Sequence, residues 1–265
     1  MTAPTARRPR RICVLVAGQT IPAIAERRGE YPLWIQQHTG EAWPGEWTSH
    51  DVRTDAPLPA PEEADGFVIT GSSSSVTERA PWMLRAEELV RRLAAARKPV
   101  LGICFGHQMI GQALGGNVTR NPRGREIGTV RVERPVEDPL FAGLPREFDV
   151  NATHVDSVTT LPPGAEILAS TAREPVAAFR VGPTVRAVQF HPEFDADVIR
   201  EYLQTRADLV RGEGGDPDAL LAGVHERTRG PDILRNFAAW VVAGGPAWGP
   251  RPAPRKDQET IRKPT

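Results

Sequence analysis

Residues 100–114 read VLGICFGHQMIGQAL, a short apolar run followed by a cysteine between two glycines and then an amphipathic segment. The apolar run of residues 99–103 is too short for a helix and has no polar alternation. This pattern is typical of a strand buried on both faces of a parallel sheet. A helix is predicted over residues 106–114, because Gly115 and Gly116 offer a left-handed stop. The stretch therefore predicts a strand, a sharp turn at Cys104 and a helix.

Similar apolar runs on the N-terminal side of this stretch extend the pattern. Residues 12–17 and 66–70 predict two more buried strands, and Pro81 opens a segment with apolar residues at helical spacing. Strand, helix and strand at this spacing indicate a right-handed βαβ unit. Later in the chain, strands are predicted at residues 118–120, 128–132, 165–169, 176–179 and 187–190, and helices at 197–211 and 232–242.

The composition excludes several classes of protein. Lys and Arg number 33 against 33 Asp and Glu, and this balance argues against nucleic acid as an obligate partner. Two cysteines can form neither a disulfide framework nor a four-ligand zinc site, which favours a cytoplasmic setting. No segment reaches the roughly 20 apolar residues of a membrane span. The histidines show no metal-ligand spacing, so we expect no metal. No cofactor is expected either, and the lack of a spanning segment predicts no membrane partner.

The two ends of the chain differ from its body. Residues 1–10 form a basic leader and residues 244–265 are rich in proline and charge without an apolar period, so disorder is predicted for both. The arginines before the first apolar run superficially resemble a signal peptide, but that run is short and continues directly into Gln19 and Thr20. A single folded domain is predicted over residues 11–243.

Cys104 lies where a nucleophile could act. Flanking glycines allow the tight strand-to-helix turn of a nucleophile elbow. The helix N-terminus would favour a thiolate, and the backbone N–H of Phe105 would point at an oxyanion. Taken alone, the segment also fits a small cysteine in the core, because free cysteines are often buried.

Residues 189–193 read QFHPE and follow a predicted strand. A cysteine nucleophile needs a base, and His191 could supply it while Glu193, two residues on, projects to the same side and orients the ring. Alone, this segment also fits a surface turn. With the elbow it favours a joint site, because the carboxyl ends of parallel strands meet at one edge of a sheet.

Together the two segments resemble class I (triad-type) glutamine amidotransferases, in the family's order of cysteine, histidine and glutamate. Within that family, the chain resembles a stand-alone member similar to the glutaminase domain of GMP synthetase. Residues 65–72 (DGFVITGS), 125–128 (REIG) and 153–158 (THVDSV) resemble further recurrent segments of that family. The resemblance covers residues 11–200 and implies a flavodoxin-like α/β fold. That fold is an open, mostly parallel sheet flanked by helices, with a small antiparallel β addition.

The resemblance also implies roles for individual residues. Cys104 would be the nucleophile, His191 the general base and acid, and Glu193 its orienting partner. The oxyanion hole would combine the N–H of Phe105 with one at Gly71 or Ser72, and the predicted substrate-binding residues are Gln108 and His154. Synthase-linked members usually have Gly-Gly-Pro where this chain reads Gly71-Ser72-Ser73, so a positive φ at Ser72 would cost energy.

The implied reaction is hydrolysis of the side-chain amide of glutamine through a Cys104 γ-glutamyl thioester, with release of ammonia and glutamate. In this family ammonia usually passes to a synthase subunit or domain, and that partner is expected here. The acceptor stays open, because no Ser-Gly-Gly-Val-Asp-Ser pyrophosphatase segment follows residue 200. One alternative is a γ-glutamyl peptide hydrolase with the same triad. Another is a non-enzymatic interaction module with a vestigial site.

Overall fold

A seven-stranded sheet forms the centre of the protein in the computed structural model, which describes residues 9–245. The predicted disordered ends, residues 1–10 and 244–265, lie almost wholly outside this range, and the predicted division into domains stays a prediction. The strands are β1 (Arg11–Val16), β2 (Glu46–Asp51), β3 (Gly66–Ile69), β4 (Val100–Ile103), β5 (Asn117–Arg120), β6 (Glu126–Glu133), β7 (Glu147–His154), β8 (Asp156–Thr160), β9 (Ala165–Ala169), β10 (Ala178–Val181) and β11 (Val185–Val188).

Helices cover both faces of this sheet. They are α1 (Pro22–Arg28), α2 (Tyr31–Thr39), α3 (Pro81–Ala95), α4 (Phe105–Ala113), α5 (Ala196–Thr205), α6 (Ala207–Gly212), α7 (Pro217–Ala222) and α8 (Gly230–Val242). Within residues 9–245 none of them is long and apolar enough to cross a membrane.

The sheet order is β2-β1-β3-β4-β11-β10-β9. The first five strands run parallel, β10 is antiparallel to β11, and β9 is antiparallel to β10. Two small antiparallel sheets, β5–β8 and β6–β7, are added to it. The predicted mostly parallel α/β fold with a small antiparallel addition is therefore confirmed.

Strand β1 explains why the sheet has a core on each side. Its side chains alternate, so that Ile12 and Val14 pack in one apolar cluster while Cys13 and Leu15 pack in the other. The first cluster includes buried residues of α2 and α8, and the second includes those of α3 and α4. Because both faces are buried, the strand is a continuous apolar run, as the sequence predicted.

The carboxyl ends of the parallel strands place three loops side by side. Strands β3, β4 and β11 are neighbours, and the chain leaves them at Thr70, Cys104 and Gln189. Ligands of open α/β sheets gather at this edge. The fold thus brings residues 70–73, 104–108 and 189–193 to one place.

Several predicted elements differ in extent. The predicted helix of residues 197–211 is two helices, α5 and α6. Arg206 lies between them, as the C-terminal cap of α5 and the N-terminal cap of α6. Strands β10 and β11 are displaced by two residues from the predicted positions, since a turn at Gly182 (φ +58°) closes a hairpin between them. The sequence analysis missed α1, α2, β2, β7, β8 and α7.

Candidate active site

A strained turn carries Cys104. Its φ of +50° and ψ of −99° lie outside the regions that a side chain with a Cβ prefers, as is common at functional sites. The turn is tight, because a Cβ added at Gly102 would lie 2.5 Å from the carbonyl oxygen of Gly106. The residue is buried, 6% exposed, at the start of α4. The predicted elbow geometry is present at this position.

His191 is held against Glu193. The Nδ1 of His191 donates to Oε1 of Glu193 at 2.8 Å, and both side chains are buried. Phe194 stacks on the ring with 4.0 Å between centroids, and the N–H of His191 donates to the carbonyl of Asn151. Since Nδ1 is used by Glu193, Nε2 is the free position, and it has no hydrogen-bond partner among residues 9–245.

Gly71 shows how closely the three loops approach one another. A Cβ added there would lie 2.8 Å from Cε1 of His191 and 3.8 Å from Cβ of Cys104. Only a residue without a side chain leaves room for the imidazole at this point. The backbone at Gly71, the cysteine and the histidine therefore share one small volume at the edge of the sheet.

The electrostatics of His191 favour a charged ring. Burial by itself lowers the pKa of His191, but the charges of Glu193 and Cys104 and the hydrogen bond to Glu193 outweigh it and raise that pKa to about 10. The ring is therefore an imidazolium at neutral pH. His107 behaves oppositely, since burial lowers its pKa to about 3 while its Nε2 faces the carbonyl of Val176 at 2.8 Å.

The predicted oxyanion donors lie at the same edge. Phe105 is the first residue of α4, so its N–H has no acceptor within the helix. Ser72 is not among the non-glycine residues with positive φ, which within residues 9–245 are Arg79, Arg97 and Cys104. The change from glycine to serine at position 72 therefore costs no backbone strain.

The two predicted substrate-binding residues are both buried behind the site. Gln108 donates through Nε2 to the carbonyl of Asp156 at 3.0 Å and to Oε1 of Gln189 at 3.1 Å. His154 does not line the cavity beside His191, and its side chain is 1% exposed. Its neighbour Thr153 is closer to the site, with a carbonyl oxygen 3.9 Å from Sγ of Cys104.

A cavity of about 330 Å³ opens beside His191. Its walls include Gln19, Thr20, Ser72, Ser73, Thr153 and Arg206. Tyr31 and Tyr202 also contribute, and their hydroxyls are 2.9 Å apart. Burial raises the pKa of Tyr31 well above its ordinary value, so this hydroxyl keeps its proton. A larger cavity of about 870 Å³ lies along β6, but the predicted nucleophile, base and orienting residue do not line it.

His154 belongs to a buried polar network that the sequence analysis did not identify. Its Nε2 lies 3.2 Å from Oε2 of Glu126, and its Nδ1 lies 3.1 Å from the carbonyl oxygen of Asp156. Thr171 donates to the other oxygen of Glu126 at 2.6 Å, and Glu174 lies 3.9 Å from Nδ1. Burial raises the pKa of Glu174. The sequence contained Glu126 in a recurrent segment, but nothing in it indicated this pairing across 28 positions.

We expect Glu126→Ala to lower the free energy of unfolding by about 1–3 kcal/mol, because it leaves His154 and Thr171 buried without their partner. Urea denaturation followed by circular dichroism measures this change. The matched control is Glu133→Ala at an exposed position of the same strand, for which no measurable change is expected. Equal unfolding midpoints for the two variants would contradict the role assigned to the network.

The fold and this arrangement define an α/β protein with a buried cysteine on a strand-to-helix elbow, next to a histidine that is bonded to a buried glutamate. Comparison with known families then identifies its family. Residues 46–206 match the model of the class-I glutamine amidotransferases, and the chain belongs to that family.

Individual relatives fall into two groups. The chain is 41% identical over 128 residues to the glutamine-hydrolysing GMP synthase of Thermomicrobium roseum. That alignment covers 48% of this chain and 23% of the synthase. It is 30% identical over 182 residues to γ-glutamyl peptidase 4 of Arabidopsis thaliana. That alignment covers 67% of this chain and 64% of the peptidase. The chain thus spans less than two thirds of the length of either relative.

Solved structures support the fold. A glutamine amidotransferase from Methylobacillus flagellatus superposes with a TM-score of 0.68, covering 92% of this chain and 98% of that one. Their sequences are 22% identical, so this likeness establishes a shared fold. The resemblance found in the sequence is confirmed by these comparisons, and the family supports a hydrolase.

Proposed function

We propose that this protein hydrolyses the side-chain amide of glutamine through a γ-glutamyl thioester on Cys104. The observation that carries the proposal is the position of His191. It is bonded to Glu193 at 2.8 Å, and a Cβ built on Gly71 would lie 2.8 Å from its Cε1 and 3.8 Å from Cβ of Cys104. A nucleophile, a proton carrier and an orienting carboxylate are the parts that acyl transfer to a cysteine needs.

In the first half-reaction, Cys104 attacks the amide carbon of glutamine and the carbonyl oxygen becomes an oxyanion. The N–H of Phe105 and one at Gly71 or Ser72 would stabilise this charge, each contributing on the order of 3 kcal/mol. The imidazolium of His191 then protonates the leaving nitrogen. The C–N bond breaks, ammonia leaves, and the γ-glutamyl group stays on sulfur as a thioester.

In the second half-reaction, the now neutral His191 removes a proton from water, which attacks the thioester carbon. The C–S bond breaks and glutamate is released, while the proton returns the ring to its charged state. Glu193 holds the ring through Nδ1 throughout. Ammonia would pass to an acceptor enzyme, and a cytoplasmic location is part of the same proposal.

A γ-glutamyl peptide hydrolase is the second candidate. The cavity of about 330 Å³ beside His191 favours it, because such a space could admit an amino acid attached to the scissile nitrogen. The identity to γ-glutamyl peptidase 4 points the same way. A vestigial interaction module is the weakest candidate, since the cysteine, histidine and glutamate are all retained.

Rates on two substrates separate these functions. We expect kcat/KM for glutamine to equal or exceed that for γ-glutamylglycine, with one ammonia released for each glutamate formed. Coupled assays for glutamate and ammonia measure both reactions on the purified protein. A preference for the dipeptide of more than about tenfold, or about 1.4 kcal/mol in the barrier, would contradict the glutaminase function in favour of the peptidase.

A glutaminase that depends on a partner would give a third result. Both substrates would then turn over slowly and at similar rates, and addition of the acceptor enzyme would raise glutamine hydrolysis alone. Activity on neither substrate, with or without a partner, would contradict both enzymatic candidates.

A further inference from the structure

The cavity beside His191 has an unusual charge composition. Apart from the His191 ring, its walls carry hydroxyl, amide, phenol and apolar side chains and one permanent charge, the guanidinium of Arg206. Among residues 9–245, no carboxylate lines it. A polar cavity whose charged side chains are the Arg206 guanidinium and the His191 ring is suited to a ligand with an anionic group.

Arg206 is fixed in place without an acidic partner. Its guanidinium lies 4.9 Å from the centre of the Tyr202 ring and donates to Oγ1 of Thr153. Within residues 9–245 no ion pair is formed by this arginine. Arg200 and Arg211, on either side of it in sequence, pair with Glu226 and Asp208. Arg206 is half-buried and retains N–H donors beyond the one used by Thr153.

Arg206 is also close to the reacting centre. The Thr153 side chain accepts its hydrogen bond, and the carbonyl of the same residue lies 3.9 Å from Sγ of Cys104. Thr153 therefore links the wall of the cavity to Cys104, which does not itself line the cavity, and places Arg206 near a group bound at the cysteine. The planar guanidinium matches a carboxylate through two parallel hydrogen bonds.

We propose that Arg206 is a specificity-determining residue that binds a carboxylate of the substrate in this cavity. The inference rests on the function proposed above and adds which substrates the site accepts. Two groups have this chemistry. One is the α-carboxylate of the γ-glutamyl moiety, and the other is the carboxylate of the amino acid that leaves from a γ-glutamyl dipeptide.

Four substrates tell these sources apart. L-Glutamine and its α-amide differ in the α-carboxylate, whereas γ-glutamylglycine and γ-glutamylethylamide differ in the carboxylate of the leaving group. For Arg206→Gln we expect kcat/KM to fall by about 10- to 100-fold on the substrates that carry the bound carboxylate. On the paired substrate that lacks this carboxylate, kcat/KM should fall by less than about threefold. Arg206→Lys should restore part of the activity, since it keeps the charge but not the fork.

Arg200→Gln is the matched control, because it removes an arginine that pairs with Glu226 outside the cavity, and no change is expected. A loss confined to L-glutamine and the other α-carboxylates identifies the first source, and a loss confined to γ-glutamylglycine identifies the second. An equal loss on all four compounds would overturn the proposal, because it would reveal a structural role. Unchanged rates on all four would overturn it as well.

Calorimetry separates failure of this inference from failure of the proposed function. Binding of L-glutamine and γ-glutamylglycine is measured on Cys104→Ala with and without Arg206→Gln, so that no turnover is needed. A rise in Kd of about tenfold or more for at least one ligand is expected. If the two variants bind each ligand with the same affinity, the carboxylate site is overturned even if glutamine is hydrolysed. Absence of binding by both variants would overturn it as well.

Discussion

Cys104→Ala is expected to lower turnover of glutamine by on the order of 10⁶-fold, which is the scale of losing a covalent nucleophile. Without sulfur no thioester forms, and His191 has no group to which its proton transfer is coupled. Alanine keeps the Cβ that the strained turn already accommodates at φ +50°, so the fold should survive. Ammonia release under saturating glutamine measures the effect, and the thermal melting curve checks the fold.

Cys13→Ala is the matched control, since Cys13 is the other cysteine of the chain and is buried within β1. Burial raises the pKa of its thiol, so it is a poor nucleophile. Unchanged turnover is expected for this variant. Wild-type turnover by Cys104→Ala, or equal losses in the two variants, would rule out the thioester mechanism.

The elements that the sequence predicted well are those with a strong local signal. Strands β1, β3 and β4 are apolar throughout because they are buried on both faces, and helix α3 begins with Pro81 and repeats apolar residues at helical spacing. The elbow at Cys104 was predictable because it needs glycines at fixed positions. These features are written in consecutive residues.

The missed elements lack such a signal or carry it weakly. Strand β2 reads EWTSHD and lies at the edge of the sheet, where it needs no apolar run. Helix α2 has only nine residues between Gly29 and Gly40, and its helical character comes from burial of Trp34 and Ile35. Strand β7 does alternate, with Phe148, Val150 and Ala152 buried, so its period of two was a usable sign.

The site divides in the same way. Cys104, His191 and Glu193 lie in two short segments, and the carboxyl edge of a parallel sheet brings such segments together. Glu126 and Arg206 reach their positions only through tertiary packing, from a strand outside the main sheet and from the junction of α5 and α6. Arg206 lies inside what the sequence predicts as one continuous helix. In such a helix, the sequence does not distinguish an arginine that lines a cavity from one that faces solvent.

Glu193→Gln is expected to lower kcat/KM for glutamine by up to about 10⁴-fold, the scale seen when the orienting carboxylate of such a triad becomes an amide. The carboxylate of Glu193 fixes the His191 ring through Nδ1 and contributes to the raised pKa of that ring. An amide has no charge and can present either an acceptor or a donor to Nδ1. The ring then loses its fixed orientation and part of its affinity for the proton.

The pH profile distinguishes this role from simple damage to the fold. His191 must be protonated to donate to the leaving nitrogen, so wild-type kcat/KM should hold on the alkaline side until the pH nears about 10 and then fall. Removal of the charge lowers the pKa of His191, and the acid form is then lost at a lower pH. The alkaline limb of Glu193→Gln should therefore move to lower pH.

Glu201→Gln makes the same chemical change on α5, where the carboxylate pairs with Arg27 and does not contact His191. Its alkaline limb should coincide with that of the wild type. An unshifted limb in Glu193→Gln would mean that its charge does not control the protonation of His191, even if the rate falls. Full activity in that variant would remove Glu193 from the mechanism, and the proton transfer would then have to rest on Cys104 and His191 alone.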